Sequence, residues 1–173
     1  AEVSARLKAV LPDCDLIVGT EEEVLIASGE SDLLAALKTI RALSSATIVL
    51  KRGPMGCIVY DGPVTALDAG VVGRGFPIEV YNVLGAGDAF LSGFLRGWLT
   101  GEPHATSATW ANAAGALTVS RLLCSPEIPT FEELQFFVKN GSPHLALRKD
   151  EALNHVHWAT TRRNEYPVLM ALA

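Results

Sequence analysis

The sequence predicts a doubly wound α/β fold in which helices and the strands of a sheet form layers. Short apolar runs typical of buried strands alternate with segments whose apolar residues recur at helical spacing. Residues that favour turns, mainly Gly, Pro and Asp, separate these segments. The 173 residues, 49% hydrophobic and 19% charged, suffice for the core of one ordinary globular domain.

The alternation is clearest in the first half of the chain. We predict helices over residues 2–11, 20–27 and 31–43, buried strands over 15–18 and 46–51, and a hairpin of 57–60 with 64–67. Pro12 stops the first helix, and Ser31 or Asp32 caps the third. Residues 70–84 contain several Gly and Pro residues around Ile78–Val80, which favours a loop or an edge strand.

Three further helices are predicted directly after Asp88, over residues 105–121 and over residues 131–139. The first has a continuous apolar face and ends before Gly101 and Pro103. The third begins at Thr130, with Glu133 completing a capping box. The chain begins and ends within apolar, helix-like sequence, so we expect it to be a fragment of a longer protein.

Charge and cysteine content exclude several classes of function. A net charge of -5 without a basic run argues against a nucleic-acid partner. No apolar run approaches the roughly 18 residues of a membrane span, and no signal peptide is recognised. Cys14, Cys57 and Cys124 lie far apart and lack Cys-x-x-Cys spacing, so we interpret them as reduced thiols of a cytoplasmic protein.

The segment Asn82–Leu95 places a Gly-Ala-Gly turn and a carboxylate, Asp88, directly before an apolar helix. A Gly-rich turn at a helix start presents unpaired N–H groups to an anion. It lacks the Gly-Lys-Ser/Thr of a P-loop, and Phe90 stands where a dinucleotide fingerprint has its third glycine. Two interpretations remain: an ordinary helix start in which Asp88 serves the dipole, or an anion hole beside a general base, as phosphoryl transfer requires.

Asn82–Asp88, followed by Ser92–Leu95, resembles the second signature of the ribokinase-like (PfkB) carbohydrate kinases. The resemblance covers about residues 5–140 and implies a ribokinase-like three-layer (Rossmann-like) sandwich, present as a partial domain over residues 1–140. It implies that Gly85, Ala86 and Gly87 form the anion hole, that Asp88 is the catalytic base, and that the cofactors are ATP and Mg2+. The family's N-terminal half, with its sugar motif and β lid, is not in this chain.

Two further segments agree with this family in order and spacing. Lys51–Gly56 is similar to its Gly-x-x-Gly loop, which implies that Lys51, Gly53 and Gly56 line the nucleotide phosphates. Asn112, followed by Ala113–Gly115, resembles the segment beside adenine. The plainer interpretations are a hairpin turn for the first segment and helix packing for the second.

A third segment, Thr20–Glu23, occupies the family's Asn-x-x-Glu position. The resemblance implies that Thr20 lies at the nucleotide and that Glu23 orders magnesium-bound water. Thr20 replaces the usual Asn, and a solvated helix start is the plainer interpretation of the three glutamates. Leu84 stands where relatives often carry a polar residue beside potassium, which leaves activation by a monovalent cation open.

Val18–Glu23 and Leu50–Gly56 resemble most the 5-dehydro-2-deoxygluconokinase subgroup of inositol catabolism. Leu153–Arg163 is similar to the start of the aldolase-like domain fused behind that kinase in some bacteria, so we predict a linker and the start of a second domain over residues 141–173. His155 and His157, without further ligands, are interpreted as surface residues rather than a metal site.

The implied function is ATP-dependent phosphorylation of a hydroxyl on a small-molecule sugar or sugar acid, with 5-dehydro-2-deoxy-D-gluconate as the favoured substrate. A kinase of the fructokinase or ribokinase type and a non-catalytic nucleotide-binding or regulatory module are the alternatives. A homo-oligomer is left open.

Overall fold

The computed structural model describes residues 2–122 and 127–161. Its strands are β1 (Leu16–Thr20), β2 (Thr47–Lys51), β3 (Cys57–Tyr60) and β4 (Val71–Gly73). Its α-helices are α1 (Glu2–Val10), α2 (Glu21–Ser28), α3 (Leu33–Leu43), α4 (Ala86–Leu99), α5 (His104–Val119), α6 (Phe131–Asn140) and α7 (Glu151–Thr160). Within this part of the chain, no helix is long and apolar enough to cross a membrane.

The four strands form one sheet in the order β1-β2-β3-β4. β1 and β2 are parallel because the chain crosses over through α2 and α3 between them. β2 and β3 are antiparallel because only a short turn at Gly53–Met55 joins them, which is too short for a crossover. The sheet is therefore mixed, with its parallel pair at the β1 edge.

Helices cover both faces of this sheet, which confirms the predicted three-layer α/β arrangement. Side chains alternate along β2, so that Ile48 and Leu50 pack in the core formed with α2 and α3, while Val49 packs in a second core. That second core includes Phe90 and Phe94 of α4, which carry the apolar face expected after Asp88.

The predicted hairpin partner of β3 was wrong. Residues 64–67 form no strand, and β3 pairs instead with Val71–Gly73. Val64 is buried in the core beside α3, and Tyr60 Oη donates to Leu67 O at 2.5 Å, so this segment folds back over the end of β3. The edge strand expected within residues 70–84 therefore lies at its start and not at Ile78–Val80.

A buried ionic cluster joins the last three helices. Arg121, two residues after the end of α5, forms an ion pair with Glu133 of α6, and Glu133 Oε2 lies 2.7 Å from His157 Nδ1 of α7. Glu133 is 0% exposed, so the predicted capping box is half wrong: Thr130 Oγ1 accepts from Glu133 N, but the Glu133 carboxylate is used in the cluster. His157 is buried rather than on the surface, whereas His155 is exposed as expected.

The segment after α6 packs on the helices before it. Leu147 and Leu153 are almost fully buried in one cluster with Leu117, Leu134 and Phe137. The domain boundary near residue 140 stays a prediction. Cys124 and the continuation of the predicted second domain over residues 162–173 lie outside the described residues.

Candidate functional site

The Gly-Ala-Gly turn forms the start of α4. Gly85 is the residue before the helix and has a φ of 81°, a left-handed conformation that glycine adopts without steric cost. Ala86 N donates to Val83 O at 3.2 Å. Gly87 and Asp88 follow in the first turn, where a helix leaves its N–H groups without intrahelical acceptors. Together with the helix dipole, this turn suits an anion.

Three chain segments meet at the carboxyl ends of β1 and β2. Lys51, the last residue of β2, places its Nζ 3.6 Å from Glu23 Oε2 at the start of α2. The same Nζ lies 3.8 Å from the position that a Cβ on Gly87 would take. We call Thr20, Glu23, Lys51, Gly87 and Asp88 the sheet-edge cluster. This end of an open α/β sheet is where such folds bind their ligands.

Glu23 is held as a carboxylate by its local structure. Its Oε2 accepts from Thr20 N–H at 2.6 Å, and Thr20 Oγ1 accepts from Glu23 N–H at 3.2 Å, a reciprocal capping box. The Thr20 N–H, with Lys51 nearby, lowers the pKa of Glu23 below its ordinary value. The side chain is 58% exposed, so it can meet a hydrated ion while it caps the helix.

Asp88 lies in the first turn of α4 and is exposed. Among the described residues, its carboxylate has no hydrogen-bond or ion-pair partner. A carboxylate at this position can accept a proton from a group that approaches the turn.

The Lys51–Gly56 turn has an internal structural reason for its glycines. Gly53 and Gly56 have φ values of 55° and 89°, and Arg52 N donates to Gly56 O at 2.8 Å. A Cβ on Gly56 would overlap the carbonyl oxygen of Gly73 in β4. The hairpin-turn interpretation therefore accounts for both glycines, and Lys51 is the residue of this turn that reaches the cluster.

Asn112 is not brought to the sheet-edge cluster. It is buried, and its Nδ2 donates to Cys57 Sγ at 3.4 Å, where burial raises the pKa of the Cys57 thiol to about 11. Gly115, one turn later on α5, is the residue closer to the start of α4: its Cβ would lie 3.8 Å from Ala86 O. A role for Asn112 beside adenine stays a prediction.

The sequence reasoning missed the ion pair between Arg52 Nε and Glu21 Oε1, at 2.9 Å, which ties α2 to the turn after β2. The sequence could have predicted this pair, because Glu21 follows β1 and Arg52 follows β2, and the carboxyl ends of neighbouring parallel strands lie side by side. Within residues 2–122 and 127–161, no group of three His, Cys, Asp or Glu side chains could hold a metal ion. A magnesium ion at this site would therefore be coordinated mainly by nucleotide phosphates and water, with one or two protein carboxylates, which is a common coordination for magnesium.

Sequence comparison decides the family. The profile described as pfkB family carbohydrate kinase matches residues 2–131. The chain belongs to this family. A second profile, described as an uncharacterized protein conserved in bacteria, matches residues 133–173.

Curated relatives of this pfkB chain include 5-dehydro-2-deoxygluconokinases, which confirms the resemblance to that subgroup. The protein from Geobacillus thermodenitrificans is 28% identical over 131 residues, which are 73% of this chain and 38% of the relative. The one from Clostridium perfringens is 28% identical over 145 residues, 80% of this chain and 41% of the relative. A cytidine kinase from Thermococcus kodakarensis is 30% identical over 97 residues, 56% of this chain and 34% of the relative. The chain thus spans about two fifths of the length of the kinases that it matches over most of its residues.

Solved structures confirm the ribokinase-like fold. A Ribokinase II from E. coli, solved with ATP and Mg2+, has a TM-score of 0.69 at 25% identity, over 80% of this chain and 43% of that chain. A fructokinase from Vibrio cholerae, solved with fructose, ADP and calcium, has a TM-score of 0.68 at 22% identity, over 79% of this chain and 45% of that chain. These shares are those of a partial domain.

Proposed function

We propose that this chain is the nucleotide-binding part of an ATP-dependent carbohydrate kinase of the cytoplasm, with 5-dehydro-2-deoxy-D-gluconate as its substrate. The observation that carries the proposal is the sheet-edge cluster. Asp88, an exposed carboxylate in the first turn of α4, directly follows Gly87, which lies beside Lys51, and Lys51 pairs with Glu23. Family membership supports the reaction class, and the similarity to 5-dehydro-2-deoxygluconokinases supports the choice of substrate.

In this proposal Asp88 accepts the proton of the sugar hydroxyl as that oxygen attacks the terminal phosphorus of ATP. The bond from that phosphorus to the bridging oxygen breaks, and ADP leaves. The N–H groups of Gly85, Gly87 and Asp88 hold the transferring phosphoryl group and stabilise its developing charge, while the Ala86 N–H is used by Val83 O. The turn Lys51–Gly56 lies along the remaining phosphates, and Lys51 balances part of their charge. Glu23 is the residue that would meet the hydration water of a magnesium ion bound with ATP, and that ion would supply positive charge to the phosphate oxygens.

The substrate is tested by phosphoryl transfer from ATP in the intact protein, with 5-dehydro-2-deoxy-D-gluconate, fructose, ribose and cytidine offered in parallel. We expect the highest kcat/KM for the first. A higher kcat/KM for another acceptor would contradict the proposed substrate but would still support kinase activity. ATP binding without transfer to any acceptor would favour the non-catalytic module.

The chemistry is tested by Asp88→Asn in the intact kinase. Loss of a general base lowers kcat on the order of 100- to 10,000-fold, while ATP affinity should stay the same or rise slightly because a negative charge beside the phosphates is removed. The Asp88 carboxylate makes no capping hydrogen bond, so the substitution removes only its interaction with the helix dipole, and the melting temperature should change little.

The matched control is Asp13→Asn, an exposed carboxylate in the turn after α1, which should leave kcat unchanged. Near-normal kcat for Asp88→Asn would exclude the base and leave Asp88 as a carboxylate that only serves the helix dipole.

A further inference from the structure

The segment that leads into the Gly85 turn is held at the end of α5. We call residues 79–84 the strap. Tyr81 N and Asn82 N both donate to Val119 O, at 2.7 and 3.0 Å. Asn82 Nδ2 donates to Leu122 O at 2.7 Å, and Asn82 Oδ1 accepts from Leu84 N at 3.0 Å. These hydrogen bonds therefore fix the backbone of the strap just before the Gly85 turn.

A second set of contacts holds the beginning of the strap. Glu79 N donates to Leu145 O at 2.8 Å, and Arg148 Nη2 forms an ion pair with the Glu79 carboxylate. The Arg148 guanidinium carbon also lies 4.6 Å from the centre of the Tyr81 ring, within range of a cation–π contact. One side chain thus contacts two residues of the strap.

The backbone that carries Arg148 is fixed by the packing of its neighbour Leu147. It belongs to the short helical turn Leu147–Lys149, in which Leu147 is 1% exposed. Leu147 packs in the cluster that also contains Leu134 and Phe137 of α6 and Leu153 of α7. The position of α6 and α7 is transmitted to Arg148 through close-packed side chains, which resist gradual deformation.

These contacts cross between the two matched regions of the chain. The strap and the Gly85 turn lie within residues 2–131, and Leu145 and Arg148 lie within residues 133–173. We propose that Arg148 is a positioning residue that orders the Gly85 turn through the strap. The first residues of the second matched region, which include Leu145 and Arg148, then contribute to the structure of the kinase site. The inference rests on the proposed function only in assuming that the Gly85 turn binds a phosphoryl group.

Hydrogen–deuterium exchange on the 173-residue protein tests the ordering directly. Arg148→Ala should speed amide exchange over residues 79–88 by roughly 2- to 30-fold, the range of couplings through packed networks. Exchange over residues 47–60, in β2 and β3, should not change. Glu79→Gln removes the exposed partner and should act in the same direction without threatening the fold.

Arg6→Ala is the matched control, because Arg6 forms an exposed ion pair with Glu2, with side chains 79% and 78% exposed. It should leave exchange over residues 79–88 unchanged. The proposal is overturned if neither Arg148→Ala nor Glu79→Gln alters exchange there. An equal rise over residues 47–60 in both variants would also overturn it, since that marks general loosening.

Titration with MgATP separates this inference from the proposed function. If the wild-type chain binds MgATP, Arg148→Ala should weaken binding while Arg6→Ala does not, and equal affinity in all three would overturn the coupling to the site. If the wild-type chain binds no MgATP, the proposed function loses its support, and the exchange measurement alone decides whether Arg148 orders the turn.

Discussion

Gly53 and Gly56 lie three residues apart in the turn after β2, and both have positive φ. Their surroundings differ. Nothing lies within 4 Å of a Cβ built on Gly53, whereas a Cβ on Gly56 would collide with Gly73 O and with the backbone at Gly75. Gly53 is required only for its positive φ. Gly56 is required for its positive φ and also because a side chain would not fit there.

We therefore expect Gly53→Ala to lower the free energy of unfolding by on the order of 1–2 kcal/mol, the cost of the left-handed conformation. Gly56→Ala should cost clearly more, because the backbone of the neighbouring edge strand must move. Urea unfolding of both variants provides the comparison. Equal losses would show that the contact between Gly56 and β4 does not constrain the turn.

At the scale of elements, the last three helices are joined by a charge cluster and by apolar packing. Arg121 and Glu133 are 4% and 0% exposed, so both charges have lost most of their hydration. Such a pair stabilises little relative to apolar residues, but removing one member leaves the other buried without its partner.

Arg121→Met should for that reason lower the free energy of unfolding by about 3–5 kcal/mol. Arg6→Met, in the exposed pair with Glu2, should cost about 0–1 kcal/mol. Thermal unfolding of the two variants, followed by circular dichroism, measures the difference. A similar small loss in both would mean that Glu133 is adequately held without Arg121.

At the scale of the whole molecule, the chain contains the segments that we propose bind phosphate, and it spans about two fifths of the length of the 5-dehydro-2-deoxygluconokinases that it matches. β1 pairs only with β2 within the described residues. That the family's sugar motif and β lid lie outside this chain stays a prediction from the resemblance.

We expect residues 1–173 alone to bind ATP weakly and to show negligible sugar kinase turnover. Calorimetry with MgATP and a coupled assay for ADP release in the presence of sugar measure the two properties. Robust turnover by this chain would contradict the division of roles between the two halves of the kinase domain.

The sequence by itself determined the features that depend on neighbours within a few residues. Thr20, Asp32 and Thr130 cap their helices because each side chain reaches the backbone N–H three residues ahead. The Gly85 turn before an apolar helix and the alternation of β2 between two cores were predictable from local spacing alone. The motif Asn82–Asp88 also indicated the family, and the resemblance to that family indicated the candidate site residues.

Tertiary structure decided what depends on partners distant in the chain. Val64 was as suitable for a strand as Val71, but burial beside α3 removed it from the sheet. Glu133 fitted a capping box, yet its carboxylate pairs with Arg121 and His157, because a buried charge requires partners that local sequence does not reveal. Lys51 reaches Glu23 and the start of α4 only because the sheet brings three separate segments to one edge.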